Sequence, residues 1–371
     1  MSEPIRPWGQ LFALTVERVS LTVEEMHGAI MRPWFRLAGP AEQHLRRAYT
    51  GGTSVVYRGV RSVASLAGKA SDSIRDTSQL HAPSRRADAV QAFSNAVWGD
   101  EMARRGSSLA IGMHVRDASG EAVDVDPRSL GQAFPNASGR IVVLLHGLGQ
   151  TERAFVRTAT GPALTSAMAD ASLVPVLIRY NSGRSVRDSG RDLSELLDRL
   201  VTCWPVPVVD VSLVGFSMGG LVARAALADG RGDGWAGVAR HVVTIATPHE
   251  GSPIEKAAEA TSRALTVIPQ SRPLGGFLAQ RSAGIRDLHS GADLPRSFDD
   301  VEHHLIAGVA TSGTSHPVGS LVGDLVVRRG SATGQTAVLA DDRIVIGGRR
   351  HYDILEDPSI VERIIDWIAP S

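Results

Sequence analysis

The stretch VVDVSLVGFSMGGLVARAALAD, residues 208–229, constrains this chain more than any other. Its opening run is rich in β-branched residues (Val208, Val209, Val211, Val214) and reads as a buried parallel strand, whereas the Ala/Leu-rich run 221–228 has good helix propensity. Between them stands Gly215-Phe216-Ser217-Met218-Gly219. A strand that becomes a helix within so few residues brings the two backbones into contact, so a side chain at Gly215 or Gly219 would collide. The serine at the tip is forced into a strained conformation that lifts its hydroxyl clear of the sheet. This is a nucleophile elbow. The bland alternative is a Gly/Ser turn in an ordinary strand-helix unit; the strand before and the glycine-tolerant helix after are what the elbow requires.

A chain of 371 residues has room for one large α/β domain and an added subdomain. Lys+Arg and Asp+Glu both number 39, so no net field draws it to nucleic acid or to an anionic membrane. Cys203 is the single cysteine; it allows no intrachain disulfide and reads as a small buried hydrophobe. The start, MSEPIRPWGQ, lacks the basic and apolar regions of a secretory signal, and the charge-free stretch 303–323 is too rich in Ser, Thr and Gly to cross a bilayer. A soluble, cytoplasmic protein is expected.

Apolar residues three or four apart over 8–37 predict a helix bent or ended by Pro33, and Thr53 or Ser54 caps a second that carries Val56, Val60, Val63 and Ala67. A third, after Pro83-Ser84, shows Val90, Phe93 and Val97. Residues 1–105 therefore read as a helical subdomain packed on the rest, with a membrane- or partner-facing surface as the sharper alternative. From 106 to 371 strands alternate with helices: 109–115, 122–125, 140–145, 173–179, 208–214, 241–246, 304–309 and 343–346 are the expected strands. That pattern predicts an α/β fold, a mostly parallel sheet with helices on both faces. Residues 251–300 show no strand, only helices broken by Pro253, Pro269, Pro273 and Pro295, and read as a cap or lid.

Four segments in order, LLHGLGQ (144–150), GFSMGG (215–220), IATPHEGSP (245–253) and GGRRHYDIL (347–355), resemble the α/β-hydrolase superfamily, in particular bacterial lipases and esterases and hydrolases similar to the GPI inositol-deacylases. RYNSGRSVRDSG (179–190) and RSAGIRDLHSG (281–291) are similar to segments of uncharacterised bacterial hydrolases. The resemblance implies a serine hydrolase whose nucleophile, acid and base follow in that order. Ser217 is the nucleophile, and its hydroxyl needs a base to take its proton. Of the twelve histidines His351 fits best, on a Gly347-Gly348 loop between a short strand and the terminal helix; His316 is its competitor. His146 belongs to the loop before Gly147, His249 fixes the loop after the strand at 241–246, and His303 and His304 open a strand. For the acid, Asp324 in VGDLVVRRGSA resembles the lipase pattern, although Leu325 stands where that pattern has glycine; Asp300, Asp299 and Asp293 are the alternatives.

Backbone amides of Leu148 and Met218 are the expected oxyanion donors, each typically contributing about 2.7–4 kcal/mol to lowering the barrier. No cysteine pair, no histidines at zinc-ligand spacing and no phosphate-binding loop appear, so neither metal nor cofactor is expected. The reading is hydrolysis of a small-molecule or lipid carboxylic ester through an acyl-enzyme. Thioester or amide cleavage, acyl transfer, or a binding role without catalysis are the alternatives on the same site.

Overall fold

The computed structural model describes residues 85–117, 119–156, 164–230, 234–251, 282–290, 293–309, 324, 327, 329–334, 337–349, 351 and 353–369. In chain order these are helix α1 (Arg85–Arg104), strands β1 (His114–Arg116) and β2 (Ala122–Val123), α2 (Pro127–Ala133), β3 (Arg140–Leu145), α3 (Leu164–Asp170), β4 (Val174–Arg179), α4 (Val186–Cys203), β5 (Asp210–Phe216), α5 (Met218–Asp229), β6 (Ala239–Ile245), α6 (Ala283–Ser290), β7 (Glu302–Val309), the short α7 (Arg329–Ala332), β8 (Asp342–Gly347) and α8 (Pro358–Ile368). The sheet and its helices form one compact unit, made of Arg85–Glu101, Ile111–Glu255 and Ser282–Ser371. The expected helices over 8–37 and from Thr53, and residues 252–281 of the expected cap, lie outside the described residues.

The strands form one eight-stranded sheet in the order β2-β1-β4-β3-β5-β6-β7-β8. From β4 to β8 every pairing is parallel; β1 runs antiparallel to β4, and β2 antiparallel to β1. Alternation along the strands splits the core. Val143, Leu145, Ile178, Val211, Leu213 and Val242 pack under α4 and α5, whereas Leu144, Leu177, Val214, Phe216, Val243 and Ile306 pack under α3 and α8. A central strand buried on both faces reads as an unbroken apolar run, and β3 and β5 are such strands. The terminal helix begins where expected: Asp357 caps it, its side chain accepting from Ser359 N at 3.0 Å, with Pro358 at the first helical position.

Three expectations shift. Residues 109–115 yield a strand only from His114, because Ala110 N donates to Ser107 O and Ile111 N to the Asn95 side chain, which takes the ladder donors. The strand expected at 208–214 starts at Asp210 and runs up to the elbow; Val209 and Asp210 both donate to Gly139 O, and Val209 stays exposed. Helix α1 does not bury the stripe read from Phe93 and Val97: Phe93 is 65% exposed, and the face that goes in carries Asp88, Ala92, Asn95, Ala96 and Gly99. Apolar spacing misleads there because the inward face is built from small and hydrogen-bonding residues.

Candidate active site

Ser217 sits between the carboxyl end of β5 and the first turn of α5 at φ 52°, ψ −120°. A non-glycine residue held there costs on the order of 1–3 kcal/mol, so its surroundings must enforce it. They do: Ser217 N donates to Ile245 O at 2.7 Å, tying the elbow to the end of β6, and Gly220 N donates to Ser217 O at 3.1 Å. A Cβ on Gly215 would come within 2.4 Å of Gly220 N, and one on Gly219 within 2.1 Å of Leu145 O. Both glycines are therefore required by backbone contact, as the elbow reading predicts.

The loop after β3 abuts the serine directly, for a Cβ on Gly147 would lie 3.2 Å from Ser217 Cβ. Its amides are accounted for on either side of Leu148: Gly147 N donates to Gln150 Oε1 and Gly149 N to Ser182 Oγ, each at 3.0 Å. Among the described residues neither Leu148 N nor Met218 N has an acceptor. His146 explains how the loop is aimed. Its Nδ1–H donates to Gly147 O at 2.9 Å while Nε2 accepts from Tyr180 N at 3.3 Å. A planar peptide points its C=O and N–H in opposite directions, so holding Gly147 O inward turns Leu148 N–H outward. The ring is fully buried and stacked on Tyr180, with centroids 4.4 Å apart, and burial pulls its pKa down to about 4. It is a positioning residue with both nitrogens occupied, and no base.

Residues 179–183 build the layer under this loop. Arg179 forks onto Glu152 at 2.7 and 2.5 Å, with Asp88 of α1 3.5 Å away, and Tyr180 Oη donates to His146 O at 2.8 Å. Asn181 Nδ2 donates to Gly99 O at 2.9 Å, and Gly183 packs so tightly on α1 that a Cβ would sit 2.0 Å from Asn95 O. The segment 281–291 leans on the same place: Gly284 N donates to Gly183 O at 3.0 Å, and Asp287 accepts from Val186 N at 2.7 Å. The segments 179–190 and 281–291 thus brace the loop after β3 and α1.

Asp324 and His351 meet. His351 Nδ1–H donates to Asp324 Oδ2 at 2.7 Å, both side chains are buried, and His351 N donates to Asp324 O at 3.0 Å. The turn that lacks glycine at 325 closes through the side chain instead, Val327 N donating to Asp324 Oδ1 at 2.8 Å and Asp324 N to Val327 O at 3.2 Å. The His351 ring packs 4.9 Å from that of Phe216, the residue before Ser217. A Cβ on Gly308 would lie 3.4 Å from Asp324 Cβ, which puts the acid at the carboxyl end of β7. The other acids lie elsewhere: Asp300, at φ 57°, precedes the amino end of β7, and Asp299 and Asp293 are exposed. His316 lies outside the described residues.

A buried arginine on the nucleophile helix carries no distinctive sequence signal and was not anticipated. Arg224 Nη1 donates to His249 Nδ1 at 3.0 Å, and Nη2 donates to Pro295 O at 2.6 Å and Ala337 O at 3.1 Å. Burial lowers its pKa to about 10. His249 passes its own Nε2–H to Thr244 Oγ1 at 3.1 Å, and burial, then the Arg224 charge, hold its pKa well below the usual value. One side chain thereby joins the loop after β6 to segments near 295 and 337.

The parallel sheet, the covering helices and the strained serine at the carboxyl edge of its central strand define an α/β-hydrolase fold. A family model described as a PGAP1-like alpha/beta domain matches residues 180–267, the span from the end of β4 through the elbow and past β6. Among solved structures the chain is similar to lipase BlEst2 of Bacillus licheniformis in mature form, at 17% identity and TM-score 0.45, covering 61% of this chain and 90% of that one. It is also similar to a lipase-esterase related protein from Clostridium acetobutylicum, at 12% identity and TM-score 0.40, covering 63% and 96%. Carboxylesterase CesB (YbfK) from Bacillus subtilis is a third, at 14% identity and TM-score 0.38, covering 62% and 83%. No curated protein sequence matches the chain.

Proposed function

We propose that the chain is a serine hydrolase of carboxylic esters, with Ser217, His351 and Asp324 as nucleophile, base and orienting acid. The observation that carries this reading is the buried bond from His351 Nδ1 to Asp324: it leaves Nε2 as the lone-pair nitrogen of a ring packed beside the elbow. Ser217 Oγ attacks the ester carbonyl carbon and its proton passes to His351 Nε2. The negative charge that develops on the carbonyl oxygen accepts from Leu148 N–H and Met218 N–H, at the positive end of α5. His351 then protonates the leaving alcohol, and a water molecule, deprotonated by the same nitrogen, cleaves the acyl-enzyme.

Phe93, exposed beside the oxyanion loop, offers apolar surface to an acyl chain, which favours medium or long chains and a lipid-like ester. Residues 1–105 as a helical subdomain, with membrane-surface contact through its helices as the alternative, 251–300 as a cap, and a cytoplasmic location belong to the same reading. Among the described residues no helix is long and apolar enough to cross a membrane.

The test is turnover of a p-nitrophenyl ester series from acetyl to long acyl, beside acyl-thioesters and anilides, on the full chain and on one that begins at Arg85. Fastest cleavage of medium or long oxygen esters agrees with the proposal. Preference for thioesters or anilides moves the site to a different acyl chemistry, and fastest cleavage of acetyl esters removes the acyl-chain argument.

A further inference from the structure

We propose that His241, Glu302 and His304 form a binding site for a divalent transition-metal ion of the zinc type, at the opposite end of the sheet from Ser217. Parallel register creates it: His241 of β6 is the partner of Glu302 in β7, and His304 lies two residues further along, so Glu302 and His304 share the face toward α8. The three donor atoms form a nearly regular triangle. His241 Nδ1 and His304 Nε2 are 3.3 Å apart, and Glu302 Oε2 is 3.7 Å from the first and 3.5 Å from the second.

Those distances separate two explanations. A proton between the imidazoles accounts for their 3.3 Å contact, but it leaves Glu302 beyond hydrogen-bond range of both rings. A cation accounts for all three. The point equidistant from the corners of this triangle lies about 2.0 Å from each, the length of a zinc bond to imidazole nitrogen or carboxylate oxygen. Two imidazoles and one carboxylate form a borderline-soft set that suits zinc or cobalt and leaves a position for water; calcium and magnesium prefer all-oxygen sites.

The scaffold holds the set in place. His304 is buried and stacked on Trp367 of α8, with centroids 4.6 Å apart and planes 12° apart, and Trp367 Nε1 donates to Asp342 Oδ2 at 3.0 Å. Asp342 is in turn the partner of His304 on β8, so a further carboxylate adds negative potential beside the site. The donors come from two strands, with the histidines 63 residues apart, which is why no zinc-ligand spacing is visible along the chain. His304 lies four residues before Gly308, which borders Asp324, a separation of about 13 Å along a strand. The ion therefore takes no part in ester cleavage and instead pins β6, β7 and α8 together.

The test uses the full chain freed of metal by chelator and titrated with Zn²⁺ and, separately, Co²⁺. Calorimetry is expected to show a single equivalent, with the intense visible absorption of low-coordinate Co²⁺ and a raised thermal midpoint that chelator reverses. His241→Ala and Glu302→Gln, both at partly or well exposed positions, are expected to weaken binding by at least about tenfold and abolish the thermal shift, while ester turnover in the absence of metal stays unchanged. Absence of stoichiometric binding, or binding equally tight in both variants, overturns the site. Loss of ester activity in Ser217→Ala with metal binding intact keeps this outcome distinct from that of the catalytic proposal.

Discussion

The serine half of the candidate site and the acid-base half are built in different ways. Ser217 is held by backbone: the Ile245 bond, the Gly215–Gly220 and Gly219–Leu145 contacts, and a φ of 52° that nothing loose would keep. Asp324 and His351 add side-chain bonds to backbone ones: the 2.7 Å bond between them and the Val327 N to Asp324 Oδ1 bond stand beside the backbone bond from His351 N to Asp324 O, on segments that follow β7 and β8. The backbone of the first half cannot be moved without disturbing the centre of the sheet. The second can lose its chemistry while the fold stands.

That contrast can be broken by substitution. Ser217→Ala removes only the hydroxyl and is expected to lower kcat on p-nitrophenyl esters by about 10⁶ with an unchanged thermal midpoint. Asp324→Ala is expected to cost about 10⁴, because the imidazole loses its orientation while the nucleophile remains; full activity there, with loss in Asp300→Ala, would transfer the acid role. His146→Phe keeps the packing on Tyr180 but releases Gly147 O. A fall in kcat of about 10²–10³ with little change in KM is expected, and an unaltered kcat would show that the ring does not aim Leu148 N–H.

Two smaller effects sharpen the picture. His146 and His303 both have folded pKa values near 4, lowered first by burial, against about 6.5 when unfolded. The unfolded chain therefore binds more protons between these values, so their contribution is complete above about pH 6.5 and is lost as pH falls toward 4, by roughly 3 kcal/mol for each. Urea unfolding across that range reads it, and stability that rises on acidification would contradict it. Phe93→Ala is expected to change kcat/KM by about tenfold on long acyl esters and little on acetyl esters, the size of one partly buried aromatic contact.

Sequence reasoning reached the elbow because it is local: strand, turn and helix are neighbours in the chain, and steric necessity fixes two of its glycines. It reached β3, β6 and β7 to within about two residues, since strands buried on both faces have no competing pattern. It did not reach the packing of α1, whose inward face is polar and small, nor the Arg224 clamp, nor the bracing by 179–183. Each of those depends on which distant backbone oxygen or carboxylate a side chain finds, and no periodicity records that. Asp324 lay between the two cases: the residue type was visible, but its turn departs from the family pattern and closes through Val327.

The most direct test of the central claim is covalent labelling by a fluorophosphonate, followed by mapping of the modified peptide. Stoichiometric labelling of Ser217 is expected, slowed in Asp324→Ala and His351→Ala. A folded protein that takes no label, or takes it on another serine, would contradict it.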